Sequence, residues 1–345
     1  MLEHRFPVPA RFLEHAELLT LGRYPAPLDL QEVVFLDIEA TGTSFGLGNV
    51  PFLVALGFVR GGEGIVRQYL LPDPAHEPLL HRHLLRDLRT FPVVATYNGK
   101  SFDLRLLGYR WRYLGLSVPE FRFHLDVYHL ARRFLMPGQP ATLRAAEAEL
   151  AGIHRGHDIP SEEVPRAYFA FLRRGVLEGL RRVVLHNRRD VASLPHLLHA
   201  LDRRVYQGLE APDPWTLFVL GRHHERLDRL EEARTFYERA AARSLGTLRR
   251  QALIRLGRLL QRLRRYDEAE QVWLRLLEEH PSHREALLSL AKYYEHRNEN
   301  LYRALHLARQ LPPGPERERR VKRLLRKIAQ RRERDALQAA TLLRE

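Results

Sequence analysis

Between residues 31 and 41 the chain reads QEVVFLDIEAT, an apolar, β-branched run broken by acids near its end, which predicts a buried strand. Two further strand-like runs fill 51–71 on either side of Arg60-Gly61-Gly62-Glu63-Gly64. Glycine reaches positive φ without steric cost, so that break predicts a hairpin turn. A helix-length mix of polar and apolar residues follows at 75–90, then a strand at 93–98, a helix near 101–114 and a strand at 122–127. Helical spacing continues at 128–135, 142–150 and 162–173, and through a long stretch from 176 to 206. Three strands, a helix and then strand–helix units predict an α/β domain, a mixed sheet flanked by helices.

Residues 207–214, QGLEAPDP, break the pattern with two prolines and a glycine and predict a linker. Beyond it no strand signal remains. Leu220-Gly221 recurs as Leu256-Gly257 and approximately as Leu290-Ala291, with Ala233, Tyr237 and Ala240, then Ala269 and Trp273, then Ala304 following in phase, and Pro281 closing the second unit. This spacing resembles the tetratricopeptide repeat, a helix pair of about 34 residues that buries its apolar face only by stacking on its neighbours. An arginine- and lysine-rich helix is predicted at 315–343. The organisation expected is an N-terminal extension at 1–30, an α/β domain at 31–206, a linker at 207–214, all-α repeats at 215–312 and a basic helix at 313–345.

Composition narrows the chemistry. The chain has no cysteine, which excludes disulfides, thiolate metal sites and cysteine nucleophiles. No apolar run approaches the length of a membrane span, and the start MLEHRFPVPARFLEH lacks the apolar core of a secretory signal, so a cytoplasmic protein is expected. Net charge is +14, of which residues 1–210 carry about +3 and residues 211–345 about +11. Such an excess predicts a polyanionic partner, because cationic contacts to phosphate release counterions. The same excess also arises from a strong arginine bias, since only four of the 56 basic residues are lysine.

Three carboxylate motifs carry the candidate chemistry. Asp37 and Glu39 stand two apart on the first buried strand, so both project from one face. Like charges that close repel unless a cation sits between them. Thr41-Gly42 and a glycine-bearing loop at 44–48 follow directly, where a backbone could approach a phosphate. The second motif, Asn98-Gly99-Lys100-Ser101-Phe102-Asp103, lies between a strand and a helix; the third, His186-Asn187-Arg188-Arg189-Asp190, puts His186 and Asp190 one turn apart on a helix. Taken alone, each is better read without a function: the first as a chance D-x-E, the second as a helix cap and a first-turn acid, the third as a charge balancing its arginines beside a buried polar histidine. Asp126, in HLDV, is a fifth acid that either supports the site or caps the next helix.

Together, D-x-E on a first strand, N-x-x-x-F-D after a later strand and H-x-x-x-D on a late helix follow the order of the DEDD exonucleases. From DIEATG (37–42), YNGKSFD (97–103), HLDVYHLARR (124–133), HNRRDVASL (186–194) and ALLSLAKYYEH (286–296), the chain resembles the YprB-type ribonuclease-H-like family of the DEDD superfamily over residues 31–310. Members of that family join such a nuclease domain to tetratricopeptide repeats. The resemblance implies two divalent ions, Mg²⁺ or Mn²⁺, held by Asp37, Glu39, Asp103 and Asp190, with Asp37 shared between them, and His186 as general base. His186 keeps the spacing of the family's tyrosine subtype with the residue of its histidine subtype, and Ala40 replaces a common threonine.

The implied activity is 3′→5′ exonuclease cleavage of DNA, at single-stranded or unwound ends, in a DNA-repair setting. Thr41, Gly42, Asn98, Lys100 and Arg188 are the expected nucleic-acid contacts, with Arg132, Arg133 and Arg189 as further candidates. The alternatives are an exoribonuclease, since no motif here reads the sugar, and a non-catalytic helical-repeat adaptor with a degenerate nuclease domain. A helicase or another protein is an expected partner of the repeats.

Overall fold

The computed structural model describes residues 1–14, 27–44, 48–211 and 213–342, and the chain divides into two compact units, Met1–Gly208 and Leu209–Glu345. In the first unit β1 (Leu2–Pro7), β4 (Val33–Ala40), β5 (Pro51–Arg60), β6 (Glu63–Leu70), β7 (Val93–Thr96) and β8 (Phe123–Asp126) form one sheet in the order β1-β6-β5-β4-β7-β8. Two short strands, β2 (Phe12–Leu13) and β3 (Leu28–Asp29), pair separately. The β4-β5-β6 meander is antiparallel, whereas β7 and β8 run parallel to β4. The hairpin is made as its glycines predict: Gly61 and Gly62 take φ of 60° and 83°. The sequence gives no strand signal for residues 2–7, because β1 lies on the sheet edge with all but Phe6 of its side chains exposed, and an exposed edge needs no apolar alternation.

Among the described residues, six α-helices complete this unit: α1 (Glu77–Leu88), α2 (Asp103–Tyr113), α3 (Val127–Phe134), α4 (Leu143–Ala146), α5 (Glu163–Arg174) and α6 (Leu177–Gln207). One face of β4, with Val34, Leu36, Ile38 and Ala40, joins a core that includes Phe52, Leu84, Trp111, Tyr168 and Val183. Burial on both faces makes β5 apolar almost throughout, and that demand explains Gly57. A Cβ built there would stand 2.4 Å from Val191 Cγ1 of α6 and 3.3 Å from Phe35 Cβ. The missing side chain is therefore what lets the long helix lie directly on the sheet.

In the second unit three helix pairs follow one another: α7 (Pro214–Arg226) with α8 (Leu230–Arg243), α9 (Gly246–Arg262) with α10 (Tyr266–Glu279), and α11 (Arg284–His296) with α12 (Leu301–Gln310). The Leu-Gly recurrence has a steric cause. A Cβ on Gly221 would meet the Tyr237 ring at 2.7 Å, and one on Gly257 the Trp273 ring at 2.6 Å. At the same offset in the third pair stand Ala291 and Leu307, both buried, so a larger small residue accompanies a smaller large one. Asp228, Arg264 and Glu299 each take φ of 59° between the two helices of their pair. The last helix, α13 (Pro315–Leu342), ends within the stretch predicted for it; residue 343 lies outside the described residues. Among the described residues no helix is long and apolar enough to cross a membrane.

α13 is fastened to α11 chiefly through the carboxylate of Glu295, with Arg284–Glu316 (3.2 Å) as a second, exposed pair. The fully buried side chain of Glu295 accepts from Arg320 (3.1 Å), Arg323 (2.6 and 2.8 Å) and Lys327 (2.9 Å). Burial works to raise its pKa, but the bonds from Arg323 and Lys327 and nearby His296 outweigh it and hold the group at about 2.

Two outcomes are expected. Gly57→Ala should cost about 1–3 kcal/mol by overpacking, read from thermal or denaturant unfolding, and Val191→Ala in the same chain should restore part of the loss. Because Glu295 is depressed from 4.5 to about 2, its contribution is fully present above pH 4.5 and disappears as pH falls towards 2. Glu295→Gln should therefore lower Tm at neutral pH and flatten the fall of Tm over that acid window.

Candidate functional site

The site forms where β4 and β7 part. Their parallel ladder ends at the Phe35–Ala95 pair, so the backbone of Ile38 is free to bind the Asp103 carboxylate at the start of α2. Asp37 and Glu39 share the face of β4 opposite the apolar core, and the pairing with β5 shifts register between Glu39 and Ala40, a bulge at the edge of the site. The seat of α6 on the sheet then brings its own residues to these acids. Asn187 Nδ2 donates to Asp37 Oδ2 at 2.7 Å, and its Oδ1 accepts from buried Gln68 Nε2 at 2.8 Å. His186 Nε2 lies 3.7 Å from Glu39 Oε1 and 3.6 Å from Asp190 Oδ2.

Five residues singled out in the sequence thus meet: Asp37, Glu39, Asp103, His186 and Asp190. Their charges are unfavourable to one another. Burial, then Asp190, Glu39 and Asp103, push Asp37 well above the usual carboxylate range. Burial, then Asp190, Asp103 and Asp158, carry Glu39 to about 8. Asp103 is raised to about 7, chiefly by burial, although backbone hydrogen bonds at residues 103 and 38 oppose the rise.

One loop holds the α6 pair from the other side. Arg155 Nη1 donates to Asp190 Oδ1, and its Nη2 donates to Glu147 Oε1 and, at 3.3 Å, to Ser193 Oγ. Three residues further on, Asp158 Oδ1 lies 2.8 Å from His186 Nδ1. Burial alone would raise Asp158, but His186 and Arg155 draw it below its ordinary value. Glu147, wholly buried, opens a single π-helical turn, Glu147–Ala151, that ends at Gly152 with φ of 68°. Such turns are short and occur often at functional sites.

Asp126 takes both roles left open by the sequence. Its carboxylate caps α3 through Tyr128 N (3.2 Å) and also accepts from the backbone N–H groups of Asn98 (2.8 Å) and Lys100 (3.1 Å). It ties down the loop that carries Asp103. Gly99 is required in that loop because a Cβ would stand 2.5 Å from the Thr96 side chain, and Asn98 sits at φ of 65°, which asparagine tolerates.

The expected nucleic-acid contacts differ in their availability. Asn98 and Lys100 are exposed, and Arg188 is half-buried with no hydrogen-bond partner among the described residues. The Thr41 hydroxyl is used within its own loop, donating to Gly48 O at 3.2 Å and accepting from Val50 N at 2.9 Å. Gly42 O accepts from Asn49 Nδ2 at 2.9 Å, and a Cβ on Gly42 would find nothing closer than 3.8 Å. Neither packing nor backbone demands glycine there. Residues 45–47 of the glycine-bearing loop lie outside the described residues.

The donor set suits hard divalent cations: carboxylate oxygens and one imidazole, with Asp37 bonded to a neutral amide and surrounded by like charge. Among the described residues, no three such side chains already stand in the convergence of a metal cage. One oxygen of Asp190 is taken by Arg155.

Gln68, Asn187, Glu147, Arg155 and Asp158 escaped sequence reasoning. Asn187 sits inside a motif that was read only for its charged ends. The segment GIHRGHDIP (152–160) gives one signal, a cluster of ionisable residues in a stretch with neither helical nor strand period.

Comparison with known proteins agrees with this architecture. Residues 34–202 match the model of the RNase_H superfamily, and residues 254–315 match a tetratricopeptide repeat model. The chain is 30% identical over 283 residues to the protein YprB of Bacillus subtilis (strain 168), covering 80% of this chain and 68% of that one.

If Asp126 fastens the Asp103 loop, Asp126→Ala should speed hydrogen exchange at the Asn98 and Lys100 amides while leaving the β5–β6 ladder protected. Unchanged exchange at those two amides would show that the loop is held by other contacts.

Proposed function

Since the chain belongs to the ribonuclease-H-like family represented by YprB, with a tetratricopeptide-repeat region, we propose that it is a metal-dependent 3′→5′ exonuclease acting on single-stranded or unwound DNA ends, in DNA repair. The observation that carries this reading is the meeting of four carboxylates from three distant segments, with the His186 imidazole between Glu39 and Asp190.

Asp37, Glu39, Asp103 and Asp190 would hold two Mg²⁺ or Mn²⁺ ions. When bound, these ions supply Lewis acidity and offset the charge that builds on phosphate oxygens during an in-line displacement. The chain's own groups do the rest. Asn187, backed by Gln68, fixes one oxygen of Asp37 and so the orientation of that carboxylate. His186 Nε2 accepts the proton of the attacking water as its oxygen bonds to phosphorus, and the 3′-oxygen of the neighbouring nucleotide leaves. Thr41 and Gly42, with the Asn98, Lys100 and Arg188 side chains, would receive the terminal nucleotide and its backbone. The repeats would take a protein partner such as a helicase, which would supply unwound ends, while the positive charge of their unit favours nucleic acid.

The test is a time course on end-labelled DNA and RNA single strands of matched sequence with Mg²⁺, Mn²⁺ or EDTA. Expected is a metal-dependent ladder that shortens from the 3′ end, faster on DNA, absent in Asp37→Ala and slowed roughly 10²–10⁴-fold in His186→Ala. Faster decay of RNA would make it an exoribonuclease; retained cleavage in Asp37→Ala would remove the assignment, and no cleavage with binding retained would favour an adaptor.

A further inference from the structure

We propose that the loop segment Arg155–Asp158 is the positioning element of this site, setting the tautomer of His186 and the presenting oxygen of Asp190. The inference rests on the reading of these two residues as base and ligand, and it concerns what makes them competent.

The geometry is economical. His186 and Asp190 lie one helical turn apart on α6, and Arg155 and Asp158 lie three apart on a loop that crosses that turn. Asp158 Oδ1 lies 2.8 Å from His186 Nδ1, and Arg155 donates to Asp190 Oδ1. A carboxylate only accepts hydrogen bonds, so the Asp158 contact requires the proton on Nδ1. Nε2 of the neutral ring is then left with its lone pair, and that atom faces Glu39 and Asp190 at 3.7 and 3.6 Å. Without this partner, a neutral histidine side chain favours the proton on Nε2, which would turn a donor towards the centre and remove the acceptor.

Arg155 acts on the other residue in a complementary way. By taking Oδ1 it leaves Oδ2 of Asp190 as the oxygen turned to the His186 side. The guanidinium is itself fixed at its other end by buried Glu147 and by Ser193, whose hydroxyl donates to Asp190 O at 3.0 Å. A mere counter-charge needs no such anchoring. The arrangement holds a fork in one plane and so constrains the carboxylate it grips.

The experiment compares the wild-type chain with Asp158→Ala, Asp158→Asn and Arg155→Lys. The His186 ring signals, identified by their loss in His186→Gln, are recorded by nitrogen-15 NMR on metal-free protein at a pH where the ring is neutral. The wild-type ring is expected to carry its proton on Nδ1, Asp158→Ala to shift it towards Nε2, and Asp158→Asn, which keeps an acceptor oxygen, to retain more of the wild-type signature. On single-stranded DNA with Mn²⁺, Asp158→Ala should lower kcat by about 10–100-fold with little change in KM, with partial recovery in Asp158→Asn. Arg155→Lys, which keeps the charge and loses the fork, should weaken Mn²⁺ binding by about 10–100-fold in a direct titration. A wild-type ring protonated on Nε2, or an unshifted ring in Asp158→Ala, overturns the role of Asp158; unchanged Mn²⁺ affinity in Arg155→Lys overturns that of Arg155. If the wild-type chain cleaves nothing, the nuclease reading fails, while the ring signature and the titration still decide this inference.

Discussion

The site depends on how closely α6 lies on the sheet. Asn187, His186 and Asp190 can reach Asp37 and Glu39 only because the helix rests on β5 with no Cβ between them at Gly57. The hydrogen bond from Gln68 to Asn187 extends that seating to β6, so sheet and helix are joined by a steric fit and by a polar relay within a few residues of each other. Close-packed interiors transmit displacement rather than absorb it. A shift of the helix would therefore be felt at both the imidazole and the last carboxylate, which share one turn.

Against that fit stands the repulsion of the acids. Burial and the polar relay force together groups whose charged forms disfavour one another, and Glu39 and Asp103 are raised first by burial and then by the neighbouring carboxylates. Arg155 relieves it at Asp190 alone. Bound cations would offset that repulsion, which connects the energetics of the folded chain to the chemistry proposed for it.

Much of this was legible from residues. The strand run ending in Asp-Ile-Glu, the Gly-Gly hairpin and the Leu-Gly recurrence each have one dominant physical cause, acting locally: burial, positive φ, or an aromatic ring pressed on a glycine. Asp37 with Glu39, and His186 with Asp190, stood out because their spacing defines one face of a strand or helix, whereas Asp103 was singled out only by the order of the motifs in the family the chain resembles. What escaped depends on contacts across the chain. Asp158 lies 28 residues from His186, Arg155 lies 35 from Asp190, and Gln68 lies 119 from Asn187. No local periodicity marks such pairs. Asp126 was noticed yet stayed ambiguous, since a helix cap and a loop tie demand the same residue type at the same place.

The N-terminal strand has a consequence for anyone handling the molecule. β1 covers the open side of β6, with Phe6 against Gly64 and the pairs Arg5–Glu63 and Glu3–Arg67 spanning the two strands. A trimmed start, or a fusion that pulls these few residues away, would bare a full row of backbone donors and acceptors beside Ile65 and Val66. Such a row templates the addition of a foreign strand. These edge residues thus act as a selvedge that keeps the sheet from knitting onto its neighbours.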